Sequence, residues 1–132
     1  MRTVTRWGVS VTIFAVTALL CAQSPHGQAG YGDSNPANDA KQLKSAEQSY
    51  LSAKKAFKSA PTAAHKKSFV VAADRFALLS MTSAVLDRKV KYKQALQLYR
   101  EVLKCDPSNY EAKSNSDLII SIYKSMNRPI PN

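Results

Sequence analysis

A chain of 132 residues with 19 lysines and arginines against 9 aspartates and glutamates, net +10, has room for one small domain with a strongly cationic surface. Two cysteines, one of them inside an amino-terminal apolar run, leave no internal disulfide framework, so stability has to come from packing. Two isolated histidines, His26 and His65, stand apart from any cysteine or carboxylate at ligand spacing, and the chain has no glycine-rich phosphate loop and no Gly-x-Ser-x-Gly elbow. The expectation is a non-enzyme that needs no metal and no cofactor.

Arg2 and Arg6 precede an uncharged run from Val9 to Leu20, and the chain turns polar at Gln23-Ser24-Pro25. This layout predicts a secretory signal peptide over residues 1–22, cleaved after Ala22 or Gln23, and the run is short for a membrane span of about 20 apolar residues. Cys21 opens a second route, lipidation as the first mature residue, although Leu20 is large where that signal wants a small residue. An uncleaved anchor is the third. Residues 23–38 hold three of the four glycines and no apolar stripe, and read as a flexible linker.

Four helices are predicted beyond it, over residues 39–59, 62–88, 92–104 and 109–126, with an extended tail at 127–132. The first carries Leu43, Ala46, Tyr50, Ala53 and Phe57 at 3-4-3-4 spacing, one face of a helix. Ala60-Pro61 breaks it and Thr62 can cap the second, whose rows Phe69, Ala72, Phe76, Leu79 and Val70, Ala73, Ala77, Met81, Ala84, Val85 make a broad apolar surface with neighbours on two sides. A polar break at Lys89–Lys91 leads to the third, where Ala95, Tyr99, Val102 and Leu103 share a face and the small Ala95 admits a close neighbour. Asp106-Pro107 stops it, Ser108 or Asn109 caps the fourth, and Asn127-Arg128-Pro129 ends that one. The fold class expected is all-α, a four-helix antiparallel stack of helical hairpins over residues 39–132.

Ala95, Tyr99 and Pro107, with Tyr92 three residues before the alanine, make residues 76–109 resemble one tetratricopeptide repeat, whose period is about 34 residues. Leu79, Thr82-Ser83 and Leu86 take that repeat's first-helix places, and Tyr110 to Tyr123 looks like a terminal capping helix. The resemblance implies a scaffold that holds a protein or peptide on an inner face formed by Ala77, Ser80, Ala84 and Asp87 on one helix and Glu111, Ser114, Asn115 and Leu118 on the next. Those positions lack the lysine, arginine and asparagine set with which some members of that family clamp a peptide carboxylate, which disfavours a chaperone-tail adaptor.

Loss of Arg2 and Arg6 with the signal leaves the cationic excess almost intact. Lys54, Lys55, Lys58, Lys66 and Lys67 flank the first hairpin and form a candidate basic patch for an anionic lipid or envelope polymer. Nucleic acid is disfavoured, because Tyr50, Phe57, Phe69, Phe76 and Tyr99 lie on apolar stripes rather than on a stacking platform. Cys105, before Asp106-Pro107, reads as a small semi-buried residue, or else as a surface thiol open to an intermolecular bond. The functional expectation is an exported interaction module of the cell envelope, with a basic surface-associating bundle as the alternative.

Overall fold

A computed structural model describes residues 35–132. The expected signal peptide, Cys21 and the linker up to residue 34 lie outside the described residues. Within them the chain forms four α-helices and no strand: α1 (Pro36–Ser59), α2 (Ala63–Thr82), α3 (Arg88–Cys105) and α4 (Tyr110–Ser125). Each helix packs on the next, and short turns fold the series into antiparallel hairpins of an all-α bundle.

Local chemistry sets most of the ends. The Asn35 side chain accepts from Ala37 N at 3.0 Å and Pro36 occupies the first turn, so α1 starts where a linker was expected to continue through Asn38. Thr62 accepts from His65 N at 3.1 Å and starts α2. Asn109 accepts from Ala112 N at 2.8 Å and starts α4. After α4, Asn127 turns the chain with φ 51, and the tail lies back on α3 through donors from Gln97 to the Asn132 carbonyl and from Arg100 to the Pro131 carbonyl.

The α2–α3 junction differs from the sequence expectation. The helix predicted to run to Arg88 stops at Thr82, and α3 begins at Arg88, so Lys89–Lys91 is helical rather than a break. Asp39 of α1 is the cause. Its Oδ2 accepts from Ser83 Oγ at 2.9 Å and from Ala84 N at 3.0 Å, holding the chain out of helical register, and Asp87 then caps α3 by accepting from Lys89 N at 2.8 Å. Leu86, expected on a helix, therefore sits in the turn, as do Ala84 and Val85.

The core is built from the predicted stripes. Ala46 and Tyr50 of α1, Phe69, Ala73, Phe76 and Ala77 of α2, Ala95, Leu96, Leu98, Tyr99 and Val102 of α3, and Ala112 and Ile119 of α4 are buried together. Leu43, Ala53 and Phe57 complete the α1 stripe at the margin. Tyr50 packs 6.0 Å from Phe69 and 5.6 Å from Phe76, ring centre to ring centre, and Phe57 stacks on Phe69 at 5.6 Å. As expected, α2 has a neighbour on each side. Buried alanines on both α2 and α3 remove the bulk that would hold these two helices apart.

Candidate partner-binding face

The exposed side of α2 and the start of α4 meet at a polar pair. Asn109, having capped α4 with its Oδ1, donates through Nδ2 to Asp74 Oδ2 at 2.7 Å. The other carboxylate oxygen, Asp74 Oδ1, is buried and has no hydrogen-bond partner among the described residues. Burial and the nearby charges of Glu111 and Asp106 push the Asp74 carboxyl above its ordinary value, against the Asn109 bond, which lowers it. A half-buried acid short of one donor is a costly arrangement for the isolated bundle.

Below this pair lies Tyr99 of α3. The ring is fully buried and its hydroxyl accepts from Asn115 Nδ2 at 2.9 Å. Burial raises the phenol far above its ordinary value, with Glu111 and Asp74 adding to the effect, so the phenol stays protonated at every physiological pH. Apolar side chains flank the cluster. Val71 and Leu78 sit one turn to either side of Asp74 on α2, and Leu118 follows Glu111 and Asn115 along α4. Val71 is 60% exposed and Leu118 50%, each a large apolar side chain left open to water. Among the described residues the arrangement joins an unpaired acceptor with an apolar surround.

The residues expected to form an inner face divide between surface and interior. Glu111, Ser114 and Leu118 are exposed on α4, and Asn115 is half-buried through its bond to Tyr99. On the α2 side the expectation fails. Ala77 and Ser80 are fully buried, with Ser80 Oγ donating to the Phe76 carbonyl at 2.7 Å, and Ala84 and Asp87 lie in the turn beyond the helix. Asp74, Val71 and Leu78 stand on the outward side instead: Ala77 and Ser80 share the inward face with Phe69, Ala73 and Phe76, and the early end of α2 carries Ala84 and Asp87 off the helix. Sequence reading missed Asp74, although a single acid between Val70-Val71 and Phe76-Ala77 is a detectable signal.

The basic patch divides. Lys55, Lys58, Lys66 and Lys67 are exposed around the α1–α2 corner. Lys54 instead crosses to α3, where its Nζ donates to Glu101 Oε1 and Oε2, both at 2.9 Å, and to Tyr50 Oη at 2.6 Å, while Tyr50 donates to Glu101 at 2.8 Å. Burial pushes the Glu101 carboxyl up, but Lys54 and Tyr50 outweigh it and hold that carboxyl below its ordinary value. Burial likewise opposes the Lys54 charge, and the bonds to Glu101 and Tyr50 still keep the ammonium above its ordinary value. Cys105, half-buried, lines a cleft of about 210 Å³ beside this bridge with Phe57, Phe69 and Lys104.

Among the described residues no three acids, histidines or cysteines are grouped to hold a metal, and no helix is long and apolar enough to cross a membrane. Comparison with protein-family models, with curated proteins and with solved structures returns no match to this chain.

Proposed function

We propose that this protein is an exported, non-catalytic protein-binding scaffold of tetratricopeptide-like build, which holds a segment of a partner on the α2–α4 face. The observation that carries the reading is Asp74 Oδ1, a buried acceptor without a donor, set between the exposed Val71 and Leu78. A partner segment that presents a lysine or arginine to Asp74 and Glu111, with apolar side chains on either side, would supply the missing donor and cover the apolar flanks. The tetratricopeptide likeness is supported by the pairing of small Ala73 and Ala77 on α2 with Ala95 and Tyr99 on α3, all of them buried. Export is supported by the apolar run Val9 to Leu20 behind Arg2 and Arg6.

Site-specific photo-crosslinking in the native cells tests this. A crosslinker at Leu78 or Leu118 is expected to trap one defined protein in a salt-resistant adduct, weakened by Asp74→Asn, while the same group at Leu51, exposed on α1, traps none. Equal adducts from Leu51, or adducts unchanged by Asp74→Asn, would sink the assignment of the face.

A second reading is favoured by one observation about charge. Asp39, Asp87, Glu101 and Asp106 are all engaged in bonds that hold the fold, while Lys55, Lys58, Lys66 and Lys67 face solvent. The α1–α2 corner is thus a basic surface suited to an anionic lipid or envelope polymer, and that contact should weaken more steeply with salt than one on the α2–α4 face, where apolar side chains cover the ion pair.

A further inference from the structure

At the opposite end of α2 from that corner, the α2–α3 turn and the end of α4 enclose an open cavity of about 690 Å³. That volume lies in the range of small-ligand sites, roughly 300–1,000 Å³. Arg88, Lys89 and Lys91 of α3 and Arg128 of the tail line it, with Tyr92 and Tyr123 among the apolar walls.

The cations converge from two segments distant in sequence. Antiparallel packing of α3 and α4 brings them to one end of the bundle, and the Arg128 backbone is fixed by its N donating to the Tyr123 carbonyl at 3.0 Å. Lys91 Nζ is held by the Ser83 carbonyl at 3.0 Å and lies 5.5 Å from the Tyr92 ring centre. Among the described residues one carboxylate lines the cavity, Asp87, and it is engaged with the backbone of Lys89. Four cationic side chains and one carboxylate line the cavity among the described residues, so its lining charge favours an anion.

We infer that this cavity binds a phosphate monoester carried on an apolar or aromatic body. Two guanidinium forks can each take two phosphate oxygens, and the two ammonium groups complete the charge of a dianion. Tyr92, Tyr123 and Met126 give the body a surface to lie on. The ligand's phosphate can belong to a soluble metabolite or to a lipid headgroup, and both present the same oxygens. The site is separate from the α2–α4 face, since neither Asp74 nor Val71 nor Leu118 lines it.

The test is nuclear magnetic resonance titration of the full chain with phenyl phosphate and with inorganic phosphate, beside flotation on phosphatidylcholine vesicles with and without phosphatidic acid. Two charge-reversed variants are compared: R88E/R128E at the cavity and K55E/K66E at the opposite corner. Phenyl phosphate is expected to shift Tyr92 and Tyr123 saturably and more tightly than inorganic phosphate. Affinity should fall at least tenfold in R88E/R128E and hold in K55E/K66E. Saturation without flotation assigns the soluble source, and flotation competed by phenyl phosphate assigns the headgroup. Equal losses in the two variants, shifts spread over Lys55 and Lys66, or neither binding nor flotation would overturn the site. Circular dichroism checks that R88E/R128E folds, and R128E alone, changed beyond the last helix, reads the same question if it does not.

Discussion

Two polar bridges cross the bundle between helices that are not consecutive, and they are finished differently. Between α1 and α3, Glu101 receives Lys54 on both oxygens and Tyr50 on one, so every oxygen of that carboxylate is occupied. Between α2 and α4, Asp74 receives Asn109 on one oxygen and nothing on the other. The first bridge pulls its carboxyl below the ordinary value and the second leaves its carboxyl above it. The same side-chain chemistry thus serves cohesion where it is complete and, under the proposed function, would serve recognition where it is left open.

The largest expected effect comes from disturbing the helix on which both bridges depend. Ala95 is fully buried on α3, and the alanines of α2 leave no slack beside it. Ala95→Leu should overpack that contact and cost about 1 to 3 kcal/mol, read from urea denaturation. Stability equal to wild type would mean that α2 and α3 do not approach as closely as their alanines allow, and both bridges would then be looser than described.

How much of this was legible follows from where each signal resides. The stripe from Leu43 to Phe57 is local periodicity, and the structure buries or half-buries each of its members. The capping of α4 was legible to within one residue, Ser108 or Asn109, because cap chemistry is also local, and the structure uses Asn109. The end of α2 was not, because Ser83-Ala84-Val85-Leu86 contains neither glycine nor proline, and its turn is imposed by Asp39, which lies far away in sequence. That single long-range contact also explains why Ala84 and Asp87 leave the candidate face. Ala77 and Ser80 are a matter of phase: small side chains on a helix with two apolar rows do not tell from sequence which row a neighbour covers, and the structure packs both inside, leaving Asp74 outward.

The closed bridge should yield the next largest effect. Glu101→Ala leaves Tyr50 and Lys54 without their acceptor and should cost about 1 kcal/mol, since about a third of each side chain in the ion pair is exposed and water screens the charge. Its pH dependence has a definite sign. A carboxyl held below its unfolded value stabilises the fold above the unfolded pKa, and that contribution is lost as pH falls through the folded one. The gap between wild type and variant should therefore be complete at neutral pH and close in acid, below the carboxylate range. A gap that persists there would identify Glu101 as a packing residue, and the contrast with Asp74 would lose its electrostatic basis.

The open bridge should respond in the other direction, and by the smallest amount. Asp74 has a carboxyl raised by burial, so its proton is held more firmly in the fold than in the unfolded chain. Its contribution is then present below the unfolded pKa and lost as pH rises through the folded one. Asp74→Asn keeps an oxygen for Asn109 and removes the charge, so at neutral pH the variant should gain stability, by up to about 1 kcal/mol because the site is only half-buried. In acid, where the wild-type carboxyl is itself neutral, the gain should vanish. If neutral-pH stability falls instead, Asp74 is already satisfied in the isolated bundle and no partner is needed to complete it. A gain in stability together with loss of the salt-resistant adduct at Leu78 and Leu118 would separate the two uses of a carboxylate, since Glu101 would hold the bundle together and Asp74 would be kept at a cost for what it binds.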